Sequence, residues 1–170
     1  MLASTRTADA IHILVLISLA ETSITSQSLA TSLVSHPSHV RRLMSLLRNS
    51  GILKTSRGKA EPMLQRAPSR ITLWDVYQIM ENTTRLLPLD THTNPDCHDG
   101  VHIQLALQDS FDELQQQFKK EMKEVILEKI IQDYKKRLEK SNTANSHRVI
   151  LIHSDLKTSH LFLNFRKKEA

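Results

Sequence analysis

The segment that most constrains the fold is 27–57, which reads QSLATSLV, then SHPSHVRRLMSLLRNSGIL, then KTSR. Val40, Leu43, Met44 and Leu47 recur at intervals of three and four residues, so a helix here carries one apolar stripe. Ser38, His39, Arg41, Arg42, Ser45 and Arg48 fall on the opposite face. Pro37 suits the first helical position, where its missing N–H costs nothing. Asn49, Ser50 and Gly51 make a stop, with Gly51 free to take positive φ. Ahead of this helix, residues 27–34 read as a shorter one contributing Leu29, Leu33 and Val34 to the core, capped by Ser26 and ended by a turn at Ser35 and His36. A short helix, a tight turn and a basic amphipathic helix form the helix-turn-helix plan, which presents its second helix to the DNA major groove.

Charge falls in the same place. Between residues 36 and 70 there are eight basic side chains (Arg41, Arg42, Arg48, Lys54, Arg57, Lys59, Arg66, Arg70) against one acid, Glu61. From residue 81 onward 14 basic residues meet 14 acidic ones. The excess behind the net charge of +5 therefore sits around the candidate reading helix, as a polyanion-binding surface requires.

With 170 residues, three glycines and few aromatics, the chain suits one mostly helical domain with an appendage. The apolar run 10–20 (AIHILVLISLA) is too short to span a bilayer and is preceded by Arg6 alone. It reads as a buried first helix, started by Thr7 and Asp9 and ending near Glu21, and no membrane partner is expected. Residues 52–54 and 63–65 are strand candidates joined by TSRGKAEP, a β-hairpin wing beside the reading helix. Thr72 can cap a fourth helix, and an irregular linker follows it.

After Gly100, Leu107, Phe111, Leu114, Phe118, Met122 and Val125 step by threes and fours, and Ile126, Ile130, Tyr134 and Leu138 continue by fours. A helix that long exceeds what so small a domain covers, which points to a partner subunit; an intramolecular core helix is the competing reading, and a break near residue 125 would give two helices. Residues 141–170 read as a linker and two short strands without a legible role. The expected fold class is mostly α with a small β-hairpin wing: a winged helix-turn-helix domain (1–82), a linker or sensor loop (83–99), a long dimerisation helix region (100–140) and a C-terminal extension (141–170).

These residues resemble the IscR/NsrR/CymR-type (Rrf-two) family of winged-helix transcriptional regulators. The parallels run in order: ADAIHILVLISLA, HPSHVRRLMSLLRNSGIL, the wing's SRG, ITLWDVYQIME, and NPDCHDGVHIQLALQDSF, which is similar to a subgroup with an Asn-Pro-x-Cys linker. The resemblance implies a homodimer clasped through the long helix, with two reading heads on a palindromic operator. Two departures accompany it. The wing sequence Gly58, Lys59, Ala60, Glu61, Pro62 lacks the usual run of glycines, which restricts its backbone. Members holding an iron–sulfur cluster use three linker cysteines, whereas this chain has only Cys97, so no cluster and no other cofactor is expected.

For DNA reading the candidates are Ser38, His39, Arg41 and Arg42, on the first turns of the second helix. An arginine can fork to guanine O6 and N7. Arg41 and Arg42 point about 100° apart, so one reads bases and the other phosphate, in an order the sequence leaves open. Arg48, Lys54, Arg57 and Lys59 are candidates for phosphate contacts. Cys97, ahead of a helix N-terminus and near His92, His98 and His102, is the candidate redox sensor, since a helix N-terminus or a protonated imidazole lowers a thiol pKa. As a set, His92, Cys97, His98 and His102 match no standard zinc spacing, and no metal site is assigned.

No Gly-rich phosphate loop, nucleophile elbow or HExxH is present, and Cys97 beside His98 lacks an orienting acid, so no enzyme is expected. The functional expectation is a cytoplasmic, dimeric, sequence-specific transcriptional regulator, a repressor, bound to double-stranded DNA and responsive through Cys97. Two alternatives stand beside it: a helical interaction module that has lost DNA binding, and a regulator sensing a small ligand instead of redox state. One cysteine leaves no intramolecular disulfide, which suits a reducing cytoplasm.

Overall fold

The computed structural model describes residues 4–55, 61–83, 87, 89 and 93–141. The chain divides into two units, Met1–Ile130 and Ile131–Ala170. Among the described residues the first unit contains helices α1 (Arg6–Leu19), α2 (Ser26–Ser32), α3 (Pro37–Asn49), α4 (Leu73–Glu81) and α5 (His98–Glu124). It also holds strands β1 (Leu53–Thr55) and β2 (Pro62–Leu64) and a 3-10 turn at Pro68–Arg70. The fold is mostly helical with one two-stranded antiparallel sheet, as the sequence indicates.

Helix α1 buries Ala10, Ile13, Leu14, Val15 and Ile17 and packs against α3, α4 and β2. It is the central rod of this unit's core. Arg6 donates to the Met80 carbonyl and lies 3.6 Å from Glu81, which also accepts from Thr7 at 3.0 Å. Those contacts tie the start of α1 to the end of α4.

Helix α2 is capped by Thr25, one residue before the expected Ser26. Thr25 accepts from the Ser28 amide at 3.1 Å, and the Ser28 hydroxyl accepts from the Thr25 amide at 3.1 Å, a reciprocal capping box. Helix α4 starts on a second such box, between Thr72 and Asp75, as the sequence indicates. Thr72 and Asp75 each satisfy one amide that a helix start leaves open.

Strands β1 and β2 pair with Leu53 opposite Leu64, Lys54 opposite Met63 and Thr55 opposite Pro62. Each is displaced by one residue from its expected span. Leu53 and Pro62 are buried, Lys54 and Thr55 exposed, so the strands are too short for a clear alternation to have fixed their ends.

Helix α5 begins at His98 rather than at Gly100, with Cys97 as its N-cap. It stops at Glu124, so the periodic segment breaks near residue 125. There Val125 turns extended, its carbonyl accepts from the Leu73 amide at 2.8 Å, and the Leu127 amide donates to the Ile71 carbonyl at 2.8 Å. These two bonds form an isolated antiparallel bridge between Thr72 and Ile126. Helical backbone resumes at 127–130. In the second unit residues 131–141 are helical, and the strands expected after residue 141 lie outside the described residues.

Candidate nucleic-acid interface

The candidate interface is built around α3. Its start needs no side-chain cap: His36 stands extended at the N-cap with ψ 139°, and Pro37 occupies the first turn. Val40, Leu43 and Leu47 are fully buried, while Met44 is half-buried at the rim of that stripe. At the other end Gly51 takes φ +73°, its amide donates to the Arg48 carbonyl, and the Ile52 amide donates to the Leu47 carbonyl at 3.0 Å. Arg66 reaches back from beyond β2 and donates to the Gly51 carbonyl at 3.3 Å and the Ser50 carbonyl at 3.1 Å. It neutralises the negative end of the α3 dipole and braces the helix against the hairpin. Sequence reasoning counted Arg66 only as bulk charge, because a contact 15 residues away leaves no periodic trace.

With the apolar stripe fixed inward, Ser38, Arg41, Arg42 and Arg48 are exposed on α3, and Lys54 is exposed on β1. Arg41 and Arg48 border an open groove of about 670 Å³ that also takes in Thr25, Ser26, Met44, Thr55, Glu61 and Pro62. The groove thus runs between the start of α2, the outer face of α3 and the base of the hairpin. Arg57 and Lys59 lie outside the described residues.

His39 is placed differently from its neighbours. Its Nε2 lies 3.2 Å from Asp9 Oδ2 on α1, with both side chains partly exposed. The imidazole that the helical pattern put on the outer face is turned back against the scaffold. Nothing in the spacing signalled this, since Asp9 is 30 residues away.

The turn between α2 and α3 departs from the expected core pattern at Val34. The Leu33 amide donates to the Leu29 carbonyl and the Ser35 amide to the Ala30 carbonyl at 2.9 Å, which winds the helix end into a left-handed residue. Val34 occupies that position with φ 49° and is 95% exposed. A β-branched residue there is crowded by its own backbone. Leu33 is half-buried, and only Leu29 of the expected three is fully inside.

A profile described as "Rrf2: Iron-dependent Transcriptional regulator" matches residues 3–133 of the chain. The chain belongs to the Rrf2 family of transcriptional regulators. YwnA of Bacillus subtilis (strain 168), named as an HTH-type transcriptional regulator, is 35% identical over 119 residues, which is 70% of this chain and 89% of YwnA. A crystal structure described as that of a DNA binding protein superposes with a TM-score of 0.61 at 33% identity. That match covers 74% of this chain and 98% of the other. CymR (YrzC), the global cysteine regulator of B. subtilis, shares the fold with a TM-score of 0.59 at 19% identity, covering 78% and 97% of the two chains. As an Rrf2 regulator the protein binds DNA.

The family description raises iron, and the donor set decides against a cluster. Cys97 is the sole cysteine of the sequence, and it is exposed. Among the described residues no group of three or more His, Cys, Asp or Glu side chains is arranged to hold an ion. One thiolate does not replace the ligand set of an iron–sulfur cluster, so the residues of this Rrf2 protein do not fit one. Cys97 itself sits on a turn in which its amide donates to the Asn94 carbonyl at 3.1 Å and the Asp96 amide to Asn94 Oδ1 at 3.0 Å. Among the described residues no helix is long and apolar enough to cross a membrane.

Proposed function

We propose that this Rrf2 regulator is a cytoplasmic homodimeric repressor that reads a palindromic operator with α3 and responds to thiol oxidation at Cys97. Residues 1–82 form the DNA-binding head, 83–99 the sensing linker and 100–140 the dimerisation region. The observation that carries the reading is the division of α3: three fully buried apolar residues fix its orientation, and Arg41, Arg42 and Arg48 stand exposed on the remaining surface. A helix so oriented brings guanidinium groups to base edges and phosphates without rearrangement.

Dimerisation rests on α5. Over 27 residues only Met122 is buried, while Ile103, Leu107, Leu114 and Phe118 are exposed along one face. A stripe of this kind is unusual on a monomer and suits a second copy of the same helix. Cys97 supports the sensing role by position: it is exposed and caps α5, so a covalent change there acts directly on the start of the proposed dimer helix. Oxidation would join two thiols as a disulfide, between subunits or with a small thiol, and pass two electrons and two protons to the oxidant.

The test is a fluorescence-anisotropy titration against the intergenic DNA upstream of the protein's own gene, at two salt concentrations, in reducing and oxidising buffer. Competitor-resistant binding that weakens steeply with salt is expected. Oxidation is expected to change affinity in the native protein and not in Cys97→Ser. Equal responses of the two proteins would remove the redox role and leave the DNA-binding role standing.

A further inference from the structure

Two histidines outside the DNA-reading surface converge at the start of α5. His98 is the first residue of the helix and His102 lies one turn later. Their ring centroids are 4.3 Å apart with planes inclined by 60°, and the two Nε2 atoms approach to 3.2 Å. Both residues are exposed. No acid or backbone carbonyl intervenes between these two nitrogens: each ring meets the other with the atom that carries its lone pair or its proton.

An i, i+4 pair on a helix is held at a fixed separation by the backbone, so the convergence is built into the scaffold. A metal ion bound to imidazole nitrogen sits roughly 2.0–2.1 Å away. Two nitrogens 3.2 Å apart then subtend about 100° at a shared ion, between the square-planar and tetrahedral values. The donors are borderline ligands that suit copper, nickel and zinc, whereas magnesium and calcium demand oxygen. The positive end of the α5 dipole opposes a cation here. Asp99 in the first turn and Asp96 just before the helix offset it with negative charge.

We propose that His98 and His102 form a bidentate imidazole site for a divalent first-row transition ion, with Cu2+ held more tightly than Ni2+ or Zn2+. No third side chain joins the pair among the described residues, so water completes the coordination and the ion exchanges freely. The site is separate from the iron–sulfur chemistry of the family, which the donor set of this chain does not fit. It is also independent of the reading given above for Cys97.

The test uses the full-length, tag-free protein and Ni2+ or Zn2+ alone, titrated by calorimetry in reducing buffer free of chelator. One ion per chain is expected. His98→Gln and His102→Gln are each expected to weaken binding at least tenfold, since even partners that merely orient a ligand are worth roughly 10–100-fold. Both side chains are exposed, so helicity by circular dichroism should be unchanged in the variants. Cys97→Ser is expected to retain the ion, and with Cu2+ in buffer without reductant it should show an axial electron paramagnetic resonance signal split by two nitrogens. Undiminished binding in the double variant His98→Gln/His102→Gln, or loss of binding in Cys97→Ser alone, would overturn the proposal.

Discussion

His39 on the reading helix and Asp9 on α1 face each other at 3.2 Å, an ion pair whenever the imidazole is protonated. The contact orients α3 about its own axis, because α1 is fixed to α4 through Arg6 and Glu81. His39 therefore contacts α1 while Arg41 and Arg42 face outward.

His39→Ala is expected to lower stability by at most about 1 kcal/mol, as befits a partly exposed pair. Its effect on operator affinity should be smaller than that of Arg41→Ala. Urea denaturation and anisotropy on the same preparations check both statements; a His39 variant that loses specificity like the arginine variants would make His39 a base reader instead.

The arginines separate by their salt behaviour. Replacing a phosphate contact by Ala is expected to weaken binding evenly across sequences and to reduce the salt slope by about one. Replacing a base reader should cost about 1–3 kcal/mol on the operator and relax the preference at one base pair. Measuring Arg41→Ala, Arg42→Ala and Arg48→Ala against operator and point-mutated operators assigns each residue to one class. Arg48, nearest the helix end, is expected among the phosphate contacts.

Val34→Gly is expected to stabilise the protein by about 1 kcal/mol, because glycine takes the left-handed conformation at φ 49° without crowding and little packing is lost from a side chain 95% exposed. Thermal melting should show a rise of a few degrees. A fall in melting temperature would mean that the valine is covered in solution.

Leu114→Glu combined with Phe118→Glu places charge on the exposed stripe of α5 without touching the core. Sedimentation should then report a monomer with unchanged helicity, and operator binding should collapse because each head alone holds a half-site. A double variant that stays dimeric would relocate the interface.

Most of what positions the reading helix was legible in sequence, because those signals are local. Pro37, Gly51 and the Val40, Leu43, Leu47 stripe define α3, and Thr72 defines the start of α4. Val34 departs from the helical pattern because periodicity alone extends α2 inward, whereas the backbone bonds of its last turn swing the residue to solvent. The bracing of His39 by Asp9 and the clamp of Arg66 on Ser50 and Gly51 join segments distant in sequence, and no spacing rule reaches them. The convergence of His98 and His102 needs helical backbone from His98 onward, two residues ahead of the Gly100 start that the sequence indicates.

The bridge between residues 71–73 and 125–127 is made entirely of main-chain groups: Leu73 N–H to Val125 O and Leu127 N–H to Ile71 O. Side-chain exchange at any of the four leaves its donors and acceptors in place, so the joint between the reading head and the far end of a rod about 40 Å long is written without regard to residue identity. Proline at 73 or 127 is the one substitution that deletes a donor outright. This main-chain joint can therefore persist while the sequences on either side of it drift.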